Sequence, residues 1–350
     1  GIGKLVIPDK TETIGSYAFD QCSGINAIDI PDSVTYLGSY AFRGCNSAKT
    51  LSIGAGLKDI LGGTFYGCAA LTEIAVPNTV ISIGDSAFSG CIRVTNVTLP
   101  FVGASRDAVG YTSNFGYIFG YTEQSYGSTD SSCNLKIGDV YSSLQTKNTD
   151  PNVVYYVYDI RNGYRYYKYY TYKTPSTINT VTITNATQIP SGAFANNKNI
   201  TKIVLNDDIT SIGDFAFQSN PWYKSLTDEF AIDGDNVLIK YNGTKSNVVI
   251  PDTVKHIAGG VFKNNTKISA VTLPDELLSI GENTFNGCTN LTAMTIPKSV
   301  VKIGGNAISD ACTISVYRPS AGYNYLSTNR IVLNSSFTTG NETYYYIVND

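Results

Sequence analysis

The sequence has little charge, a single histidine and no long hydrophobic run. Asp, Glu, Lys and Arg make up 15% of the 350 residues, against about 25% in typical soluble domains. The net charge of −3 provides no basic surface for nucleic acid. One histidine, His256, excludes sites that need two, such as an HExxH metallopeptidase or a His-rich zinc site. No apolar stretch approaches the roughly 20 residues of a membrane-spanning helix. We therefore expect no cofactor, no metal, no nucleic-acid partner and no direct membrane insertion.

What the sequence does contain is a repeat of 23 residues. Four phenylalanines follow one another at this spacing, each with a cysteine three residues later: Phe19 and Cys22, Phe42 and Cys45, Phe65 and Cys68, Phe88 and Cys91. The same spacing separates Phe194 from Phe217 and Phe262 from Phe285. A fixed period of about 20 to 50 residues is typical of architectures in which each unit stacks on its neighbours. The length alone suggests two domains, but the repeat predicts a single repeat array instead.

Each unit of the repeat has the residues of one coil. In the clearest unit, Ile74 and Val76 alternate with Glu73 and Ala75, as in a half-buried strand. The following Pro77 ends that strand because it has no N–H. We expect the Ala-Phe pair at 87–88 to form one helical turn whose ring fills the interior. Neighbouring coils must stack because a single unit cannot bury its apolar side.

The unit LxxIxIPxxVxxIGxxAFxxC resembles the leucine-rich repeats of the BspA-like class of bacterial and protist surface proteins, and it covers residues 1–100 and 180–317. The resemblance implies a mainly β repeat solenoid, a curved, right-handed leucine-rich-repeat coil with short helical turns and β-hairpin insertions. It also implies export to the cell surface and adhesion to host proteins or other cells. Gly54, in place of the proline, and Ile308, in place of the phenylalanine, depart from the pattern.

Two interruptions divide the array. We predict N-terminal repeats at 1–100, a Tyr-rich insertion at 101–178, C-terminal repeats at 179–317 with a hairpin insertion at 221–246, and a cap or tail at 318–350. In the larger insertion, Asn162-Gly163 between two strand-like segments is the strongest short-range hairpin signal. Residues 236–243 look like the smaller hairpin. For the tail we expect a short helix near 321–326, a strand at 331–333 and a further strand or a linker from 338.

Cysteine and asparagine share one position of the repeat, three residues after the phenylalanine. Asparagine cannot form a disulfide but can bond loop backbone groups, so we predict that both residues act as inward-facing loop staples. The predicted staples are Cys22, Cys45, Cys68, Cys91, Asn197, Asn220, Asn265 and Cys288. We favour buried free thiols over disulfides, although stacked cysteines lie close enough for oxidation. Cys133 and Cys312 lie outside this register, and Cys133 is the expected reactive thiol.

The repeat accounts for residues that could otherwise suggest catalysis. His256 occupies the register position of Tyr36, Ser82 and Ser279, which we expect to face solvent rather than to build a Ser-His or Cys-His site. Acidic residues recur at corners after strands, where turn chemistry explains them; they are Asp9, Asp32, Asp207, Asp208, Asp252, Asp275 and Glu276. The sequence therefore indicates a protein that is not an enzyme.

Two surfaces are candidates for binding. The outward positions of the longer strands are small and neutral, without the aromatic and arginine residues that dominate binding hot spots, so we favour a structural role for that face. The better candidate is the Tyr-rich hairpin, since alternation places about half of its rings outward. The candidate residues are Tyr155, Tyr156, Tyr158, Arg161, Tyr164, Arg165, Tyr166, Tyr167, Lys168, Tyr169, Tyr170 and Tyr172. The alternative is that cross-strand tyrosine pairs only stabilise a hairpin that lacks its own core.

Three functions remain open from the sequence. The first is an adhesin-type interaction module, a monomer that is extracellular or on the cell surface and binds a protein of the host matrix or of a neighbouring cell. The second is a structural spacer that displays another domain without a ligand of its own. The third is a carbohydrate-binding module, for which the partner is a glycan.

Overall fold

The computed structural model describes residues 5–129, 153–161, 164–234, 236–309, 312–317, 335–339 and 342–346. Cys133, Asn162, Gly163, the helix expected at 321–326 and the strand expected at 331–333 lie outside the described residues. The same holds for the side chains of Tyr155, Tyr156, Tyr158, Arg165 and Tyr167.

The described elements are short strands with very little helix. In the first part of the chain the strands are β1 (Thr13–Ile14), β2 (Ala27–Ile30), β3 (Tyr36–Leu37), β4 (Thr50–Ile53), β5 (Asp59–Ile60), β6 (Glu73–Ala75), β7 (Ser82–Ile83), β8 (Asn96–Leu99), β9 (Tyr121–Thr129), β10 (Val153–Arg161), β11 (Tyr164–Tyr172), β12 (Thr180–Ile183), β13 (Gln188–Ile189) and β14 (Lys202–Val204). Two 3₁₀ helices, Gly110–Ser113 and Phe115–Phe119, precede β9.

The second part continues the same alternation of longer and shorter strands. Its elements are β15 (Ser211–Ile212), the five-residue helix α1 (Pro221–Ser225), β16 (Phe230–Asp233), β17 (Val237–Tyr241), β18 (Asn247–Val249), β19 (His256–Ile257), β20 (Ala270–Thr272), β21 (Ser279–Ile280), β22 (Ala293–Thr295), β23 (Lys302–Ile303), β24 (Thr313–Tyr317), β25 (Ser335–Thr339) and β26 (Glu342–Tyr346). The chain divides into two compact units, Gly1–Asp208 with Phe215–Ser225, and Ile209–Asp214 with Leu226–Asp350.

Both units are β-solenoids whose coils stack in the predicted 23-residue register. On the long-strand side, Ile74 of β6 lies beside Val97 of β8, and Val97 lies beside Val181 of β12, all in parallel. On the short-strand side, β5 pairs with β7 in one unit, and β19 pairs with β21 and β21 with β23 in the other. The alternating residues point inward, so Ile74, Val97 and Val181 are buried.

The third side of each coil differs from the expected helical turn. Residues two positions before and two after the phenylalanine have positive φ, for example Tyr40 (59°) and Gly44 (72°) around Phe42. The Phe42 N–H then donates to Thr64 O at 2.9 Å and the Gly44 N–H to Tyr66 O at 2.7 Å, both in the next coil. A helical turn would direct these N–H groups back along its own chain. The turn therefore adds a third ladder of hydrogen bonds between coils, which we name the turn side.

The core of each unit is a stack of phenylalanine rings beneath the turn side. Phe19, Phe42, Phe65 and Phe88 lie with ring centroids 4.9, 5.8 and 5.3 Å apart. In the other unit, Phe262 and Phe285 stack at 5.0 Å. The inward aliphatic residues of both strand ladders surround these rings, and Phe65 is fully buried.

We expect Phe65→Ala to lower the free energy of unfolding by about 3–5 kcal/mol, because the cavity would open inside a continuous ring stack. An exposed apolar residue of the same unit, Ile92, provides the control, and Ile92→Ala should cost about 0.5 kcal/mol or less. Denaturant unfolding of the three proteins measures both values. Equal losses for the two variants would contradict the stacked core.

The larger hairpin forms and has a third strand that the sequence did not reveal, whereas the segment 236–243, predicted as the smaller hairpin, is one strand of a hairpin that begins earlier. β10 and β11 pair antiparallel, and β9 adds to the other edge of β11, so the Tyr-rich insertion is a three-stranded sheet. The smaller hairpin is β16 with β17, which places its turn before the segment predicted for it. β17 then joins the short-strand ladder beside β19. In the tail, β26 pairs antiparallel with β24, so the last long strand does not present an open edge there.

Candidate binding surfaces

The base of the Tyr-rich sheet is buried. Tyr170 and Tyr172 of β11 are 3% and 6% exposed and pack with Ala195 against Phe215 and a group of tyrosines. The Tyr170 ring stacks on Tyr111 with centroids 4.5 Å apart, and the Tyr172 hydroxyl donates to Tyr111 O at 2.8 Å. These two residues of the predicted binding surface therefore anchor the sheet to the solenoid and are not accessible to a partner.

Close backbone approach makes this packing possible. Gly116, in the second 3₁₀ helix, lies so near to β11 that a Cβ there would fall 2.4 Å from Tyr172 Cβ. Only glycine allows such an approach without displacing the strand. Burial also raises the pKa of the Tyr170 and Tyr121 hydroxyls above their ordinary value, so both remain neutral hydrogen-bonding groups.

The far end of the sheet is exposed and carries the accessible part of the predicted surface. Arg161 and Tyr164 are directly opposite each other in the β10–β11 pair, and Tyr164 is 48% exposed. The Arg161 guanidinium lies 5.7 Å from the centroid of the Tyr166 ring. We name Arg161, Tyr164 and Tyr166 the overhang. Tyr169, on the opposite face of β11, is half-buried.

A charge pair separates the overhang from the buried base. Lys168 Nζ lies 2.5 Å from Glu123 Oε1 on the adjacent strand β9. This hydrogen bond to Lys168 lowers the pKa of the Glu123 carboxyl below its ordinary value. Lys168, one of the predicted binding residues, is therefore engaged within the sheet.

A second aromatic surface lies on the turn side, and it was not among the surfaces predicted from the sequence. Tyr17 and Tyr40 stack with centroids 5.3 Å apart, and the Arg43 guanidinium lies 5.3 and 5.7 Å from the two centroids. Arg43 is fixed by two hydrogen bonds of 2.7 and 2.6 Å to the Asp20 carboxylate, which lower the pKa of that carboxyl. The signal in the sequence was the recurrence of Tyr two positions before phenylalanine in two adjacent coils.

The outward residues of the long-strand face are small and neutral at the groove of the second unit, as the sequence predicts, but include carboxylates in the first unit. In the second unit this face forms an open groove of about 710 Å³. Its outward lining residues are Ala270, Thr272, Ala293, Thr295 and Ser315, with Asp275 and Lys298 at one border. In the first unit, outward residues such as Asp29, Ser52 and Glu73 are exposed. This face offers hydroxyl and methyl groups but no aromatic anchor among these positions.

The predicted loop staples occupy equivalent places in the coils. The thiols of Cys45, Cys68 and Cys91 donate to the carbonyl of the phenylalanine 26 residues earlier, at 3.3, 3.3 and 3.5 Å, and Cys288 does the same to Phe262 O at 3.1 Å. Asn220 Nδ2 donates to Asn197 O at 3.2 Å. Asn265 instead accepts from the Lys267 N–H within its own loop, and Cys22 is exposed.

All six described cysteines are free thiols, and five of them are buried. Burial raises the pKa of Cys45, Cys91 and Cys312 to about 12, and it raises the pKa of Cys68 as well. Since the thiolate is the reactive species, these thiols should be inert in the folded protein.

In a Cys133→Ser background, we expect Ellman's reagent to modify one thiol of the folded protein, at Cys22, and all six after unfolding in guanidinium without reductant. The number of modified thiols differs between the two states because, of these six free thiols, that of Cys22 alone is exposed in the folded protein. Fewer than six thiols after unfolding would show a disulfide. Rapid modification of all six in the native state would contradict the burial.

His256 was expected to face solvent, and that expectation is wrong, since its side chain is only 8% exposed. In a regular coil this position is at the rim, but here β17 and the segment Ile209–Asp214 both lie against β19. The His256 N–H donates to Asn236 O beside β17, and the Gly259 N–H donates to Ile212 O. Strand β17 and the segment Ile209–Asp214 therefore enclose a position that the repeat register alone assigns to the surface.

A small polar cluster holds the segment Ile209–Asp214 in place. Asp214 is 4% exposed; its carboxylate lies 2.5 Å from Lys263 Nζ and accepts from Asn283 Nδ2 at 3.0 Å. The Asp214 N–H donates to Glu282 Oε1 at 2.9 Å. These contacts satisfy a buried carboxylate, which is the condition for its burial, and they join the segment to two successive coils.

His256 and Ser279 form a buried polar contact between neighbouring coils. The Ser279 hydroxyl donates to Thr210 O at 3.1 Å, and His256 Nδ1 lies 2.8 Å from the Ser279 oxygen. The Ser279 oxygen therefore has two hydrogen-bonding partners, and the tautomer of His256 decides which atom of the His256–Ser279 pair donates. Both residues are less than one-tenth exposed, and their contacts join β19 and β21 to the segment Ile209–Asp214.

Burial lowers the pKa of His256 below its ordinary value, and a proton NMR titration of the only histidine should show this directly. The folded state favours the neutral imidazole, so its contribution to stability is present above the unfolded-state pKa of about 6.5 and is lost as the pH falls below it. His256→Asn keeps a hydrogen-bonding side chain next to Ser279 that does not titrate. Its Tm should therefore fall less than that of the wild type between about pH 7.5 and pH 5. A titration at or above the ordinary pKa would contradict the enclosure.

Within the described ranges, no group of three or more His, Cys, Asp or Glu side chains is placed to hold a metal ion. In the same part of the chain, no helix has both the length and the apolar character needed to cross a membrane.

Comparison with solved structures gives several leucine-rich repeat proteins. One from Bacteroides ovatus is 21% identical, with 90% of this chain and 72% of that chain covered and a TM-score of 0.35. A leucine rich cell surface protein from Faecalibacterium prausnitzii is 18% identical over 85% of this chain and 54% of that chain, with a TM-score of 0.26. A leucine rich repeat protein of T. pallidum is 14% identical over 88% and 71%, also with a TM-score of 0.26.

No curated protein matches the chain. The model of one protein family, described as the BspA type leucine rich repeat region, matches in six copies at residues 1–105, 157–228 and 240–345. These ranges cover well over half of the chain. The chain belongs to the BspA-type leucine-rich repeat family.

Proposed function

We propose that this chain is a non-enzymatic interaction module, secreted or displayed on the cell surface, with an adhesin-type role toward a protein of the host matrix or of a neighbouring cell. Membership of the BspA-type family supports the location and the general class. The observation that carries the choice of surface is the overhang, where an exposed Tyr164 stands beside the Arg161–Tyr166 pair.

The overhang has the properties of a binding hot spot. Tyrosine and arginine are enriched at such sites: tyrosine provides a large contact area with only two side-chain torsions, and arginine provides a planar group with several hydrogen-bond donors. The stacking of Arg161 on Tyr166 restricts both side chains before a partner arrives, which reduces the entropy cost of binding. The buried base at Tyr170 and Tyr172 fixes the sheet to its solenoid, so the overhang is presented on a rigid support.

The long-strand face supports the same choice by contrast. Its outward Ala, Thr and Ser residues bury little area each and carry no guanidinium or ring at the groove. Contacts with such residues contribute complementarity more than binding energy. We therefore assign the partner to the overhang.

An array of matrix proteins, cell-surface proteins and glycans tests the proposal. We expect the wild type to bind at least one protein, and an Arg161→Ser, Tyr164→Ser, Tyr166→Ser variant to bind it about tenfold or more weakly, since losing a hot spot costs at least about 1.4 kcal/mol. Tyr36→Ser is the matched control, because Tyr36 is 46% exposed on β3, away from the Tyr-rich sheet in sequence.

Three results would overturn the proposal. Binding to glycans alone would identify a carbohydrate-binding module. The absence of any binding would indicate a structural spacer. Equal loss in the overhang variant and in Tyr36→Ser would show that the partner does not use the overhang.

A further inference from the structure

One line of residues on the turn side of the first unit is partly covered and partly open. It consists of the residues two positions before each stacked phenylalanine, and all of them have positive φ. We name this line the track; its members are Tyr17, Tyr40, Gly63, Ser86, Gly192 and Phe215.

The Tyr-rich insertion covers the later part of the track. Its 3₁₀ helix Phe115–Phe119 takes the place of the next coil beside Ser86, whose N–H donates to Tyr117 O at 3.4 Å. The aromatic track residue Phe215 packs against the cluster formed by Tyr170, Tyr172 and Ala195. Within this chain, therefore, an aromatic residue of the track packs against a cluster that contains two tyrosines of β11.

The early part of the track is aromatic and open. Tyr17 is 50% exposed, and Tyr66, which lies beside the track two coils farther on, is 45% exposed. The Tyr40 ring lies between Tyr17 and Gly63. A Cβ added at Gly63 would fall 2.2 Å from Tyr40 Cε1. Positive φ is unfavourable for bulky side chains, and most other coils place glycine, asparagine or serine here. Such strain at an exposed surface is a reason to ask what the rings bind.

The overhang belongs to the face of the sheet that covers the track. Side chains alternate along a strand, so Tyr164 and Tyr166 share a face of β11 with Lys168, Tyr170 and Tyr172. The end of this face that carries Tyr170 and Tyr172 is buried, whereas the end that carries Tyr164 is exposed. Both the overhang and the open track combine tyrosine rings with a stacked arginine.

We propose that the open track of one molecule, at Tyr17, Tyr40 and Arg43, binds the overhang of a second copy of this chain. The contact extends to a second molecule the packing that the same sheet face makes on the same track within one molecule. This inference rests on the assignment of the overhang as a binding surface and names a further partner for it. The two surfaces are different, so the association is head-to-tail and does not close at a dimer.

The association should be weak, because so few side chains form an interface at the small end of the known range. The isolated protein is then a monomer when dilute, as the sequence predicts. On a surface where many copies are held together, repeated weak contacts add up through effective concentration.

Sedimentation equilibrium with two complementary variants tests the inference. The track variant is Tyr17→Gly, Tyr40→Gly, in which glycine accepts the positive φ, so loss of the rings should not unfold the coil; thermal unfolding verifies this. The overhang variant is Arg161→Ser, Tyr164→Ser, Tyr166→Ser. Tyr36→Ser is again the control for an exposed tyrosine elsewhere.

We expect the weight-average mass of the wild type and of Tyr36→Ser to rise with concentration up to about 1 mM and to pass that of a dimer, as an open head-to-tail contact requires. Each variant alone should remain monomeric. An equimolar mixture of the two variants should form dimers and stop there, because each molecule retains one intact surface.

A wild type that remains monomeric throughout would overturn the inference, as would a mixture that fails to form dimers or a variant that still associates alone. These outcomes are independent of the binding experiment with matrix proteins, cell-surface proteins and glycans, since the sedimentation experiment contains no outside partner. Binding to a matrix protein could therefore persist while the self-association is disproved.

Discussion

The structure depends on hydrogen bonds that pass from one coil to the next at a spacing of 23 residues. Parallel strands make these bonds on two sides, and on the third side the turn around each phenylalanine directs its N–H groups to the following coil. The rings and the thiols below that turn are held in line as a result. Since each coil bonds only to its neighbours, an insertion can leave the stack and return without disturbing coils farther away.

The sequence predicted what depends on periodicity. The spacing of Phe42, Phe65 and Phe88 specified the coil register, and the alternation around Ile74 specified its inward side. Asn162-Gly163 placed the larger hairpin correctly between β10 and β11. In each case the relevant contact lies within a hairpin or one repeat away, so local residues determine it.

The sequence did not predict what depends on packing between distant segments. Alternation along β11 shows that Tyr170 and Tyr172 share a face, but not that the solenoid covers it. His256 follows the rim register, yet the segment Ile209–Asp214 and the hairpin strand β17 enclose it. The Ala-Phe pair is as suitable for a helix as for a turn, and the choice depends on where its N–H groups find acceptors. The Tyr17–Tyr40 stack needed the positive φ values to distinguish it from an ordinary surface pair.

The central claim is that the turn side bonds coil to coil, and native-state hydrogen exchange tests it most directly. The amides of Phe42, Gly44 and Phe65 lie outside helices and strands, yet each donates to the next coil. The account predicts that they exchange as slowly as the strand amides of Val97 and Val181, because all of them open only when coils separate. Exchange as fast as in an unstructured turn would contradict it.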